Sequence, residues 1–108
     1  MSSLALDSNP DRRDNDQTVV SADPSKTHIL IVDDDEIITE SINEFMIRAG
    51  YQSSMVHSGE AALDFLSASP VDVVITDIMM PGLDGLELTD QIRSLHHNTD
   101  VIVMTGYG

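Results

Sequence analysis

An open α/β sheet of parallel strands, with helices on both faces, is the fold predicted by this 108-residue sequence. Three observations carry that prediction. Segments rich in β-branched apolar residues recur at residues 29–32, 71–76 and 101–104, the first a continuous run as in a strand buried on both faces. The segments between the elements hold Gly, Pro and acidic residues, and the longer ones carry apolar residues at helical spacing. The order strand, helix, strand, helix, strand, helix, strand calls for parallel pairing through right-handed crossovers.

The elements follow in order. Ile29 to Val32 is the first strand. Ile37, Ile38, Ile42, Phe45, Met46 and Ala49 then fall on one helical stripe, with Asp35 placed to cap the helix and Gly50 to end it. Tyr51 to Val56 alternates weakly and suits a peripheral strand. Ser58 can cap a second helix bearing Ala61, Ala62, Leu63, Phe65 and Leu66, which Ser69-Pro70 stops. Val71 to Thr76 is the third strand and Asp77 ends it. The turn MMPGLDG (79–85) leads into a helix from about Asp84, where Asp84 and Glu87 have capping-box spacing and Leu88, Ile92 and Leu95 form the inward stripe. Val101 to Met104 is the fourth strand.

Composition narrows the function classes. Nineteen acidic residues stand against five basic ones, a formal net charge of −14. Such a chain has no electrostatic footprint for nucleic acid and is repelled by anionic membrane surfaces. With no cysteine there is neither a disulfide framework nor a zinc-thiolate site, and no apolar run is long enough to span a bilayer. Met1 to Arg13 lacks the pattern of a signal peptide, so a cytoplasmic protein is expected. Residues 1–27, with two prolines and scattered polar groups, read as a disordered acidic and polar arm. Residues 28–108 form the folded unit, and there 14 carboxylates face only Arg48 and Arg93.

In parallel α/β sheets the ligand site lies beyond the carboxyl ends of the strands. Asp33 and Asp34 follow the first strand, Asp77 the third and Thr105 the fourth. Clustered carboxylates with no nearby base call for a cation, and oxygen ligands suit Mg²⁺. That ion lowers the charge barrier for a phosphoryl group approaching a carboxylate nucleophile, and Thr105 could donate a hydrogen bond to it. Plainer roles suffice elsewhere. Asp35 is a helix cap, Met79 and Met80 are loop-to-core packing residues, and His28, His57, His96 and His97 are solvated.

The strings ILIVDDDE (29–36), VDVVITDIMMPGLDG (71–85) and VIVMTGYG (101–108), at these separations, closely resemble the receiver domain of two-component response regulators, above all receivers in front of enhancer-binding transcription activators. The resemblance spans residues 28–108. It implies a flavodoxin-like sheet of strand order 2-1-3-4 and makes Asp77 the phosphoacceptor. By the same resemblance Asp33 and Asp34 hold Mg²⁺ with Asp77 and the backbone carbonyl of Met79, Asp34 more directly and Asp33 largely through water. Thr105 becomes the switch hydroxyl. The implied donor is the phosphohistidine of a sensor histidine kinase or phosphotransfer protein, and the chain is a signalling module, not an enzyme.

The sequence departs from the family pattern at its end. The fifth strand, its lysine and the last helices are missing, and no lysine follows Lys26. Output is then expected to be impaired. The Val101–Met104 strand becomes an apolar edge open to self-association. Two alternatives remain open. Asp33-x-Asp35 after an apolar strand also resembles a haloacid-dehalogenase-type phosphohydrolase, with Asp33 as nucleophile and Asp35 as acid/base. The chain could instead be an inactive fragment of a longer transcriptional regulator.

Overall fold

The computed structural model describes residues 23–104. A 3-10 turn, Pro24–Lys26, precedes strand β1 (His28–Val32), helix α1 (Glu36–Arg48), β2 (Gln52–Val56), α2 (Gly59–Ala68), β3 (Val73–Asp77), α3 (Gly85–Leu95) and β4 (Asp100–Met104). The four strands form one parallel sheet in the order β2-β1-β3-β4, the 2-1-3-4 order expected from the sequence. Asp23–Thr27, expected to belong to a disordered arm, is instead a turn capped by the Asp23 side chain and tied to β2: Gln52 donates its backbone N–H to the Thr27 carbonyl and its side-chain amide to the Ser25 carbonyl. The remainder of that arm, residues 1–22, lies outside the described residues.

Side chains alternate across the sheet with the period of two that strands impose. Leu30, Val32 and Val74 meet Ala62 and Leu66 of α2 and Leu88 and Ile92 of α3 on one face. Ile29, Ile31 and Ile75 point to the other face, where Ile42 and Met46 of α1 pack on them. Leu30, Val32, Val74, Leu88 and Ile92 are fully buried, each contributing about 1.5–3 kcal/mol relative to exposure.

Helix ends follow the chemistry of their caps. Asp35 accepts the N–H groups of Ile37 and Ile38, Ser58 that of Ala61, and Asp84 with Glu87 closes the capping box. Gly50, at φ 99°, ends α1: its N–H reaches the Ile47 carbonyl and the N–H of Tyr51 reaches that of Met46.

The inward stripes, and the loop after β3, differ from expectation, Ala49 at the end of α1 being exposed as well. Ile37 and Phe45 are 76% and 67% exposed, while Thr39 is fully buried. The helix presents Thr39, Ile42, Asn43 and Met46 to the sheet, which turns Ile37 to the opposite side and Phe45 about a quarter turn away. On α3, Leu88, Thr89 and Ile92 are buried and Leu95 is exposed, because the helix ends there. In the loop after β3, Met80 is buried but the Met79 side chain is 74% exposed, so only Met80 packs into the core.

Candidate functional site

Strand register assembles the site. Val32 of β1 lies opposite Thr76 of β3, so the next residue of each strand, Asp33 and Asp77, emerges at the same carboxyl edge of the sheet. Asp34 follows. Oxygens from Asp33, Asp34 and Asp77 all lie within 4.8 Å of one another. Asp33 is buried, Asp77 half-buried and Asp34 exposed. Met104 lies opposite Asp77, and Thr105, the expected switch hydroxyl, lies outside the described residues.

Burial pushes the Asp33 carboxyl above the usual carboxylate range, and the charges of Asp77 and Asp34 push it further the same way. The backbone N–H of Asp35, donated to Asp33 Oδ1 at 2.9 Å, opposes that shift only in part. Among the described residues the bases are Lys26, before β1, Arg48, in the last turn of α1, and Arg93, in the last turn of α3. All three belong to the opposite edge of the sheet. Arg48 is paired with Glu44 at 2.8 Å.

The cluster fits Mg²⁺. Oxygens around an octahedral ion at about 2.1 Å are separated by about 3 Å when adjacent and about 4.2 Å when opposite, and the three carboxylates, with oxygens within 4.8 Å of one another, need only close a little to meet that span. The donor set is all oxygen. It is short of positive charge, and it has an exposed member through which retained water can complete the shell. Asp35 stands apart: its Oδ1 accepts from the N–H groups of Ile37 and Ile38 at 3.0 and 3.2 Å, as a cap.

The loop from Ile78 to Asp84 is tied at several points. Gly85 donates its N–H to the Ile78 carbonyl at 2.9 Å, and a Cβ on Gly85 would stand 2.0 Å from the Asp77 carbonyl oxygen. Thr76, fully buried, donates its hydroxyl to that same carbonyl at 3.0 Å. Met80 plugs the core beneath the loop. At the tip, Gly82 takes φ 73° and Leu83 donates its N–H to Glu60 of α2 at 3.1 Å.

Three contacts escaped the sequence reading. His28 and His57 are held rather than merely solvated: His28 Nε2 is 2.9 Å from the Ser54 hydroxyl and its ring meets Phe65 edge-on, while His57 Nε2 is 3.0 Å from the buried Thr39 hydroxyl. Glu60 reads in the sequence only as an acid in the first turn of a helix. The signal that could have found it is Gly82, whose positive φ allows a neighbouring element to approach closely. His96 and His97 stay in the loop after α3, away from the carboxylates, with His97 Nε2 3.1 Å from the Ser94 carbonyl.

Comparison with known proteins agrees with this geometry. The response regulator receiver domain family matches residues 29–108. The response regulator MprA of Mycobacterium avium is 39% identical over 77 residues, which cover 71% of this chain and 34% of the relative. MprA of Mycobacterium tuberculosis is 38% identical over the same length. The chain thus spans about a third of the length of the curated relatives it matches. Among solved structures, the response regulator TrrA of Thermotoga maritima, in complex with Mg²⁺ and BeF, superposes with a TM-score of 0.72 at 36% identity, covering 76% of this chain and 71% of that one. A CheY-like receiver domain from Methylobacillus flagellatus gives a TM-score of 0.71 at 30% identity, covering 75% and 70%. With its 2-1-3-4 sheet and its carboxylates gathered at one edge, the chain belongs to the receiver domain family of two-component response regulators.

Proposed function

We propose that residues 28–108 act as a receiver unit that takes a phosphoryl group onto Asp77, with Asp33, Asp34, Asp77 and the Met79 carbonyl holding Mg²⁺. The observation that carries this reading is the register that brings Asp33 and Asp77 to one edge with Asp34, their oxygens within 4.8 Å. One bond forms, between an Asp77 oxygen and phosphorus. One breaks, between phosphorus and the donor's imidazole nitrogen, which leaves with the electron pair and is reprotonated from water. Bound Mg²⁺ supplies positive charge that offsets both the carboxylates and the phosphoryl oxygens. The chain's own part is to orient Asp77 through Thr76 and Gly85 and to keep Asp33 beside it. By family resemblance, Thr105 donates to the phosphoryl group.

The proposed donor is a sensor histidine kinase or phosphotransfer protein. TrrA is solved in complex with the histidine kinase ThkA, and that TrrA structure is 36% identical to this chain at a TM-score of 0.71. A macromolecular partner also suits the apolar surface at this edge, where Ile37 and Met79 are about three-quarters exposed. A cytoplasmic setting follows from such a partner, and no described helix is long and apolar enough to cross a membrane. The phosphohydrolase alternative is disfavoured because Asp35 caps α1 through Oδ1 while Asp77, which that reading does not require, joins Asp33 and Asp34 in the cluster. The chain is thus read as a phosphoacceptor and not as a turnover enzyme.

Intact mass spectrometry after incubation with Mg²⁺ and acetyl phosphate tests the assignment. One added phosphoryl group is expected in the wild type and none in Asp77→Asn. An equal adduct in both, or none in the wild type, overturns it.

Self-association belongs to the same proposal. Among the described residues β4 has a strand neighbour on one side only, and Ile102 is 54% exposed. An apolar edge of this kind pairs with another copy unless charge blocks it. Sedimentation is expected to show concentration-dependent association of the wild type, and Ile102→Lys is expected to shift the protein to monomer.

A further inference from the structure

The geometry points to Glu60 as a positioning residue that fixes the loop after the phosphoacceptor, an inference that rests on the reading of Asp77 as acceptor and of the Met79 carbonyl as metal ligand. Three observations converge on one apposition between the start of α2 and the tip of that loop. Glu60 Oε2 accepts the Leu83 N–H at 3.1 Å. A Cβ on Gly82 would stand 2.9 Å from that same oxygen. A Cβ on Gly59 would stand 2.7 Å from the Leu83 carbonyl oxygen and 3.0 Å from the Leu83 side chain. Both glycines thus make room for a contact that Glu60 completes.

The contact matters because of what the rest of the loop lacks. Pro81 offers no N–H. The loop's base is closed by Gly85 and Ile78, and its middle is held by the buried Met80. Met79, with its side chain 74% exposed, buries little of its own and takes its backbone placement from the residues around it. Without an acceptor at position 60 the Pro81–Leu83 tip is released, and the freedom gained there passes back along the chain toward Met79. Glu60 suits the task by position, since the first turn of a helix favours a carboxylate. It touches neither metal nor phosphoryl group and acts through Leu83.

The test is a Mg²⁺ titration of the whole chain followed by amide NMR, which needs no phosphoryl transfer. Losing an outer partner of a metal site typically costs about 10–100-fold in affinity; with two other ties still in place, Glu60→Ala is expected to weaken Mg²⁺ about five-fold. Glu60→Gln, which keeps an oxygen for the Leu83 N–H, is expected to stay within about two-fold of the wild type, a rescue that loss of charge alone would not give. Gly82→Ala, which strains the tip's φ 73° backbone and pushes the same carboxylate aside, is expected to weaken Mg²⁺ in the same direction and guards against a misfolded Glu60→Ala. Wild-type affinity in Glu60→Ala, or a Gln variant as weak as the Ala variant, overturns the inference. Phosphoryl uptake is measured on the same samples. Uptake dependent on Asp77 with no change in Mg²⁺ affinity sinks the role of Glu60 alone. The expected affinity changes with no uptake in the wild type sink the acceptor reading while the loop contact stands. No saturable Mg²⁺ response in the wild type overturns both.

Discussion

Gly85→Ala is expected to destabilise the fold by about 3 kcal/mol or more, at the upper end of what overpacking costs. The methyl group would stand 2.0 Å from the Asp77 carbonyl oxygen, 2.9 Å from the Asp77 carbonyl carbon and 2.9 Å from Ile78 Cα. All three are backbone atoms of β3 and the loop after it, so no side chain can swing aside. Relief requires α3 to retreat from β3, which pulls Leu88 and Ile92 out of the core beneath the sheet. In a domain of this size each 1 kcal/mol moves the thermal midpoint by about 4–8 °C, so a loss of about 12 °C or more is expected in a melting curve. Gly59→Ala provides the comparison. Its nearest backbone contact is 2.7 Å, and Leu83, part of a loop, can yield, so its loss is expected to be smaller. A Gly85→Ala midpoint within a few degrees of the wild type would mean that α3 does not start against Asp77.

Asp33→Asn is expected to do two opposite things: raise the midpoint of the metal-free protein at neutral pH, and weaken Mg²⁺ by more than about ten-fold, beyond the lower cost of losing an outer partner. The first effect follows from the direction of the Asp33 shift. Burial and the charges of Asp77 and Asp34 hold its carboxyl above the range it has in the unfolded chain. Between those two values the folded protein keeps a proton that the unfolded chain has released, so stability falls as pH rises through that window. Below the unfolded value both states are protonated and the penalty is absent. Above the folded value it is fully present. Asparagine never ionises, yet retains an oxygen for the Asp35 N–H that Asp33 accepts at 2.9 Å. The midpoints of wild type and variant are therefore expected to converge on acidification and to separate as pH rises. Constant separation at all pH values would assign the difference to packing instead of charge.

Much of this was legible in the sequence for local reasons. Caps are short-range chemistry, so Asp35, Ser58 and the Asp84–Glu87 box could be placed from spacing alone. Strand ends marked by acids gave Asp33, Asp34 and Asp77, and the parallel order brought them together. Helix rotation was less legible. The first helix carries apolar residues on more than half its circumference, and only the sheet decides that Thr39 and Met46 face inward while Ile37 and Phe45 do not. Strand starts were displaced as well: β3 begins at Val73, with Asp72 just before it donating its N–H to the His28 carbonyl and accepting the Asp100 N–H, both at 2.9 Å, while its carboxylate takes the His28 N–H at 2.8 Å. The contact between Glu60 and Leu83 spans 23 residues and two elements, and no local pattern encodes it.

The segregation of charge between the two edges of the sheet has a kinetic consequence. Glu36, Glu60 and Glu87 open the three helices at the same edge as the carboxylate cluster, whereas at the other edge Lys26, Arg48 and Arg93 offset Glu44, Asp72 and Asp100. The folded unit therefore has a dipole along its strands, negative at the end where chemistry is proposed. A partner with a positive face is turned toward that end during diffusion, before any contact forms, and its rate of encounter rises accordingly. The pull reaches only about 8 Å at physiological ionic strength, so added salt slows the meeting without altering the docked geometry.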